Sequence, residues 1–371
     1  MKILIFTAIT GHTSLAQAAK SFLKEIPGAR IKIINIIEDR FAWGFYKASY
    51  RFLPFMTKIP YEIIKNGNFS EIIRNYFLMK YRKKILNILK KEKPDIVIST
   101  YFGYNPVLDE IRPISKFKFI NVVSDPVTIH PLLFAKEADY NFGFNHYVVS
   151  VGKQNGVNKN KIVQTGWLVR KEFLEEHDVE KIRKRYGIED NFTLLFCGGS
   201  EGNNAIIMLL PSLFLSKHKD LQIIFICGNN KGLEKIIKQT YAMFKAINTN
   251  IPNIIVRGFT KNMDDFIAVS DVVVGKAGPN LLFESVSMKK PFIAISHISG
   301  QEDGNLELIR KYNLGWVAEE PAKAANLIKT IVEKRWILKK KKSSLEKVAS
   351  MNLQAGKKLV DIVSKSLNVK T

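Results

Sequence analysis

The sequence predicts an α/β protein built from two doubly wound parallel sheets facing across a cleft. Three observations carry that expectation. At 371 residues the chain exceeds what one hydrophobic core usually organises, so two domains are expected. Short runs rich in Ile, Val, Leu and Phe recur through both halves, separated by stretches long enough for a crossover helix. Small-residue turns built on glycine follow several of these runs, where a parallel strand hands the chain to a helix. The boundaries read as 1–168 for a first domain, 169–335 for a second, and 336–371 for a basic C-terminal helix.

Composition narrows the class. With 46% hydrophobic and 25% charged residues the chain is globular. A formal net charge of +23 implies attraction to polyanions, either nucleic acid or an anionic membrane surface. Cys197 and Cys227 each end an apolar run without metal-ligand spacing, and read as core thiols in a reducing compartment. Met1-Lys2 leads straight into a strand without a signal-peptide pattern, and no run of apolar residues is long enough to span a bilayer. A cytoplasmic protein, peripheral on the inner face of the membrane, is expected.

Taken in order, Lys2 to Ala8 reads as a strand, and Gly11 opens a helix through Leu23 with His12 at the junction. Arg30 to Ile37 is a second strand. From Phe41 to Lys93 aromatic and basic residues interleave: Trp43, Phe45, Tyr46, Lys47, Tyr50, Arg51, Phe52, Phe55, Lys58 and Tyr61. Between Arg40 and Lys93 thirteen Lys or Arg stand against three Glu. Ile96 to Tyr101, Phe119 to Asp125, His146 to Val151 and Ile162 to Gly166 read as the remaining strands of the first half. The charged segment Arg170 to Asp190 reads as a helix-like bridge. Phe192 to Gly199, Leu221 to Gly228, Asn253 to Phe259, Val272 to Val274, Pro291 to Ser296 and Gly315 to Ala318 repeat the pattern, and a basic helix follows Glu333.

The densest stretch is Asp271 to Asn305, DVVVGKAGPNLLFESVSMKKPFIAISHISGQEDGN. A β-branched strand enters the turn Gly275-Lys276-Ala277-Gly278, and Pro279 occupies the first helical position, where its fixed φ fits and its missing N–H costs nothing. Free amides and the positive end of the helix dipole then point at one spot, which suits a diphosphate. Glu284, further along that helix, cannot hold a phosphate but can accept hydrogen bonds from a ribose diol. The loop Gly300-Gln301-Glu302-Asp303-Gly304-Asn305 is dense in groups that bind hydroxyls. Together these read as a nucleotide-sugar site.

Lys276-Ala277-Gly278-Pro279-Asn280, Glu284 and Gly300-Gln301-Glu302-Asp303-Gly304-Asn305 resemble the donor half of the monogalactosyldiacylglycerol synthase and processive diacylglycerol glucosyltransferase family (glycosyltransferase family 28). More distantly they resemble the N-acetylglucosaminyltransferase that makes lipid II. Asn280 stands where the family usually has Gly. The resemblance implies a GT-B fold of two Rossmann-like domains: an acceptor- and membrane-binding domain, then a UDP-sugar-binding one, with the C-terminal helix of 336–371 able to return to the first. It implies an inverting transfer of hexose from UDP-glucose or UDP-galactose to diacylglycerol or a glycolipid acceptor, without a cofactor.

On that basis the donor-binding residues are expected to be Gly199, Ser200, Gly228, Asn229, Gly258, Phe259, Lys276, Gly278, Pro279, Asn280, Glu284, Gln301, Glu302 and Asn305. Gly198-Gly199-Ser200 reads either as backbone approaching the donor or as a turn needing positive φ. Phe259 reads either as a neighbour of the uracil or as core. On the acceptor side an inverting transfer needs a base to take the proton of the attacking hydroxyl. His12 is preferred for its pKa and its place at a strand's C-terminal end, with Asp125 second. The family's Gly-Gly-Gly-His is reduced here to Thr10-Gly11-His12, while its Thr-Asp and His-Pro appear as Ser124-Asp125 and His130-Pro131. Trp43, Phe45, Tyr46, Lys47, Tyr50, Arg51, Phe52 and Phe55 are expected to meet the membrane and the acceptor; the other reading makes the aromatics core. No metal is expected: Asp264-Asp265 reads as surface charge on a helix, and the helix dipole with Lys276 takes the role of a cation. Competing readings are another lipid-linked acceptor, a soluble nucleotide-sugar 2-epimerase, and a nucleic-acid binder, for which the Gln301-Glu302 loop has no use.

Overall fold

The computed structural model describes residues 1–9, 11–37, 58–65, 67–198, 204–216, 218, 220–248 and 250–368. Along the chain run β1 (Lys2–Ala8), α1 (Gly11–Leu23), β2 (Arg30–Ile37), α2 (Lys58–Lys65), α3 (Gly67–Glu92), β3 (Ile96–Ser99), α4 (Asn105–Ile111), β4 (Lys118–Val122), β5 (Tyr140–Gly143), α5 (His146–Gln154) and β6 (Ile162–Gln164). Then follow α6 (Val179–Tyr186), β7 (Phe192–Cys197), α7 (Asn204–Phe214), β8 (Leu221–Ile226), α8 (Lys231–Ile247), β9 (Asn253–Arg257), α9 (Met263–Ala268) and β10 (Val272–Lys276). The chain continues through α10 (Pro279–Ser287), β11 (Phe292–Ser296), α11 (Asp303–Lys311), β12 (Gly315–Val317), α12 (Pro321–Glu333) and α13 (Lys342–Asn368).

Two six-stranded parallel sheets result, in the orders β2-β1-β3-β4-β5-β6 and β12-β11-β10-β7-β8-β9. In each, strand order reverses beside the first strand of the half: between β1 and β3, and between β7 and β10. Ligands of open α/β sheets bind outside the carboxyl ends of the strands at such points. The strands are apolar because both faces are covered. All four residues of β3 and all six of β7 are buried. Leu15, Ala16, Ala18, Ala19, Phe22 and Leu23 form the buried face of α1. Leu4, Phe6, Val97, Phe119, Val107 and Leu108 share one core; Leu194, Phe196, Ile223, Phe225, Val274 and Ile293 share the other.

By contacts the described residues divide into two compact units, Met1–Lys171 with Ile298–Gly304 and Ser350–Thr371, and Glu172–His297 with Asn305–Ala349. The late segment is tied to the first unit through Asn352, fully buried, whose side-chain oxygen accepts from the Trp167 backbone N–H at 2.8 Å. Cys197 is in register with Ile226, so the next residue, Cys227, points to the other face of the sheet. Both thiols are buried and free.

The strand expected at His146 to Val151 is instead helix α5. Asn145 caps it by accepting from the Tyr147 N–H at 2.9 Å, which outweighs the β-branched content of the segment. The strand of that region is Tyr140–Gly143. β3, β4, β6, β7, β8, β9 and β12 end one to three residues before their expected C-termini, whereas β10 runs two residues past Val274 and takes Gly275 and Lys276 of the expected turn into the sheet, paired with β11.

Candidate functional site

In the first unit the chemistry gathers where β1, β3 and β4 end. His12 follows β1 on the first turn of α1, its half-buried ring edge-on to Tyr101 with centroids 4.7 Å apart. Its Nδ1 lies 3.0 Å from the Thr100 carbonyl oxygen, which can only accept, so the proton sits on Nδ1 and Nε2 keeps its lone pair. Thr100 is itself fixed, its hydroxyl donating to Thr7 Oγ1 at 2.9 Å. Burial lowers the imidazole pKa to about 4, with the Thr100 bond opposing in part, so the ring is neutral near pH 7.

Asp125 behaves in the opposite way. It lies beyond the end of β4, only 4% exposed. Burial drives its carboxyl pKa up to about 7; a hydrogen bond from the Gln301 side chain resists this and the charge of Glu302 adds to it. A carboxyl that is half ionised near neutrality is matched to taking a proton there. Beside it the buried Ser124 Oγ has no hydrogen-bond partner among the described residues. The loop bearing Gln301 is held from within: Glu302, 4% exposed, accepts from the Ile298 N–H at 2.8 Å, and Asp303 accepts from the Gly300 N–H at 2.8 Å.

In the second unit the expected donor residues line up along one edge of the sheet. Gly275, Cys197, Ile226 and Arg257 are register partners on β10, β7, β8 and β9. The turns that follow (Lys276 to Gly278, Gly198, Gly228-Asn229, and Gly258-Phe259) therefore emerge side by side. Gly275 packs against α10, where a Cβ would stand 2.9 Å from Leu281 Cδ2 and 3.2 Å from the Cys197 carbonyl oxygen. That close approach seats Gly278, Pro279 and Asn280 at the start of α10, whose first turn contains no acidic residue. The helical ladder begins with the Leu282 N–H donating to the Gly278 carbonyl at 3.2 Å, while the Gly278 N–H donates to the Lys276 carbonyl at 2.7 Å and Pro279 has none, so the helix-end amides are those of Asn280 and Leu281. Asn305, 1% exposed, pins this turn by donating to the Ala277 carbonyl at 2.8 Å, while its Oδ1 has no partner among the described residues. Glu284 is buried inside the helix. Phe259 is 65% exposed at the end of β9, which removes the reading of it as core.

The expected donor set thus divides. Gln301 and Glu302 lie with the first unit, Gln301 on Asp125; Gly228, Asn229, Gly258, Phe259, Lys276, Gly278, Pro279, Asn280, Glu284 and Asn305 lie with the second. Gly199 and Ser200 fall outside the described residues, as do Trp43, Phe45, Tyr46, Lys47, Tyr50, Arg51, Phe52 and Phe55. Tyr61, one of the interleaved aromatics, is 7% exposed, in line with the reading of those aromatics as core. One expectation is corrected. Asp265 is not surface charge: it is 7% exposed and accepts from Tyr186 Oη at 2.9 Å and Arg185 Nη1 at 3.2 Å. His177 Nε2 lies 3.2 Å from Asp264, so these acidic groups already have partners. Sequence reading missed Thr100 and Thr128. Thr100 could have been found by noting that β1 and β3 must be neighbours; nothing in the sequence points to Thr128.

Among the described residues no helix is long and apolar enough to cross a membrane. Residues 193–364 match the glycosyltransferase family 28 C-terminal domain, and residues 12–169 match monogalactosyldiacylglycerol synthase. A probable monogalactosyldiacylglycerol synthase of Nicotiana tabacum is 25% identical over 354 residues, covering 88% of this chain and 64% of the relative. The chain therefore spans less than two thirds of the length of that plant protein. The processive diacylglycerol β-glucosyltransferase of Bacillus cereus is 25% identical over 313 residues, covering 82% of this chain and 78% of the relative. Among solved structures, Acinetobacter baumannii MurG superposes with a TM-score of 0.63 at 15% identity, covering 98% of this chain and 100% of that one. Anabaena HepE in complex with UDP-glucose gives 0.55 at 14% identity, covering 100% of both chains. These structures establish the GT-B fold.

Proposed function

Since the chain belongs to the glycosyltransferase family 28 group of monogalactosyldiacylglycerol synthases and diacylglycerol glucosyltransferases, we propose that it transfers a hexose, with inversion, from a UDP-sugar to diacylglycerol or a glycosylated diacylglycerol at a membrane surface. The observation that carries this reading is Asp125: a buried carboxyl tuned to about pH 7 and bonded to the glutamine of the Gly-Gln-Glu loop. The acceptor hydroxyl gives its proton to Asp125, its oxygen bonds to the anomeric carbon, and the bond from that carbon to the diphosphate breaks. Asp125 thus takes precedence over His12, whose neutral Nε2 accepts a hydrogen bond and orients the acceptor. The diphosphate charge is taken up by the first turn of α10 and by Lys276. Glu284 takes the ribose hydroxyls, Phe259 lies against the base, and no metal is needed.

Support for the membrane comes from α2 and α3. Phe69, Ile72, Tyr76 and Met79 are 46%, 62%, 42% and 83% exposed and, at spacings of three and four, form one apolar stripe along α3. Ile59 and Ile63 of α2 are 54% and 38% exposed. Arg74, Lys80, Arg82, Lys83 and Lys84 accompany the stripe, the pattern of a surface that enters an anionic lipid interface. The chain is contiguous there with the aromatic and basic segment before Lys58.

The test is transfer itself. Protein is incubated with diacylglycerol in anionic liposomes and either UDP-glucose or UDP-galactose, with UDP release and glycolipid read separately. Glycolipid from one donor, lost in Asp125→Asn, is the expected result. UDP release without glycolipid redirects the reading to another lipid acceptor, and absence of UDP binding overturns it.

A further inference from the structure

Among the described side chains of α2 only Tyr61 is buried, and it lies against the loop that carries Gln301. Gly300 has φ +87°, and a Cβ there would stand 3.0 Å from both Lys58 Cα and Tyr61 Cβ, so the loop backbone lies directly on α2. The Tyr61 hydroxyl donates to the Thr128 carbonyl oxygen. Thr128 Oγ1 in turn accepts from the Gly304 N–H at 3.0 Å. The Tyr61 ring is edge-on to His130, centroids 5.9 Å apart, and His130 is edge-on to Phe102 at 5.1 Å. Both ends of residues 300–304 are therefore fastened, by packing at Gly300 and by hydrogen bonding at Gly304. Gln301 sits between them, on Asp125.

We propose that Tyr61 is a positioning residue: together with Thr128 it clamps the loop 298–304 so that the Gln301 amide keeps donating to the Asp125 carboxylate. The proposal rests on the reading of Asp125 as the base and adds what sets its basicity. A neutral donor on a buried carboxylate favours the ionised form. The groups facing Asp125 are Gln301 and Glu302 from the loop and Tyr61 from α2; Glu62 and Asp303 lie further out, near Tyr61. Burial, with the charge of Asp125, pushes the Tyr61 phenol up from its ordinary value, so it stays a neutral donor throughout. Gln301 is thus the only group of this set that favours the Asp125 anion. Whatever loosens the loop lets the proton stay on. Since α2 follows the aromatic and basic segment directly in the chain, lipid contact there has a short covalent route to the base.

The experiment reads the proton rather than turnover. Full-length protein carrying 13Cγ-aspartate is titrated by NMR, with the Asp125 resonance assigned through Asp125→Asn, in wild type, Tyr61→Phe, Gln301→Ala and the double variant. Each single variant is expected to raise the Asp125 midpoint by about one pH unit, and the double variant to raise it no further, because Tyr61 acts through Gln301. The acid limb of kcat/KM should move with it, leaving the alkaline plateau in place. Should Tyr61→Phe lose the fold, Thr128→Val, which deletes only the acceptor of the Gly304 N–H, carries the same expectation. An unchanged Asp125 midpoint in folded Tyr61→Phe beside a raised one in Gln301→Ala overturns the clamp, as does a fully additive double variant. A shifted midpoint in a protein whose transfer activity ignores Asp125→Asn keeps the clamp and overturns Asp125 as base.

Discussion

The β1–α1 turn and the β10–α10 turn occupy equivalent places, each at the carboxyl edge of a parallel sheet beside the point where strand order reverses. They are built from opposite materials. The first carries His12, fixed through the Thr100 carbonyl at 3.0 Å, with the buried Asp125 beyond β4 of the same sheet. The second is glycine, alanine and proline, pinned from outside by Asn305. In the proposed mechanism one half works with side chains whose proton affinity burial has moved, and the other with backbone amides whose direction the fold has fixed. The first should therefore respond to pH and to loss of a single functional group, the second to added charge or bulk.

The largest expected effect is on the side-chain half. Asp125→Asn should lower kcat by a factor of about 10²–10⁴, the usual worth of a general base, while UDP binding by calorimetry stays as in wild type. If His12→Ala is the more damaging change, the two exchange roles. Next comes pH. With the Asp125 pKa raised to about 7, the active carboxylate is gained as pH rises. At pH 6 about nine in ten molecules should carry the proton, leaving kcat/KM about tenfold below its alkaline plateau. A profile flat from about pH 5 to 8 would point instead to His12, whose pKa is lowered to about 4.

The backbone half should answer differently. Asn280→Asp places a carboxylate in the first turn of α10, where it suits the helix dipole and opposes a diphosphate. UDP affinity should fall about tenfold while the melting temperature holds or rises slightly, opposite signs that a general loss of structure cannot produce. Smallest is Phe259→Ala. The side chain is 65% exposed, so unfolding free energy should stay within about 0.5 kcal/mol of wild type, while UDP binding weakens about fivefold from loss of an aromatic contact. Unchanged UDP affinity would remove Phe259 from the donor site.

What could be read in advance follows the same division. β1, α1 and β2 coincide with their expected bounds because apolar runs and helical spacing are local signals. The alignment of the glycine and proline turns along the carboxyl edge of the second sheet was legible because it depends on residues whose meaning is carried by the backbone. The segment His146 to Val151 was misread since its valines resemble a strand, and one capping side chain, Asn145, decided otherwise. Asp265 was misread, and the burial of Tyr61 left open, for a different reason. The partners that bury them, Tyr186 and Thr128, lie 79 and 67 residues away in sequence, and no local pattern announces such a meeting. The same holds for Gln301 on Asp125.

The bond between Asn352 and Trp167 spans 185 positions of chain and belongs to the first unit. That unit therefore cannot finish until its late segment has been made, although most of its residues emerge first. On a ribosome the second unit has all its own residues through Ala349 while the first still lacks Ser350 onward. Closing so long a loop is slow, so the last folding step should be the docking of α13, and until then the surface it covers around Trp167 stays open to chaperones.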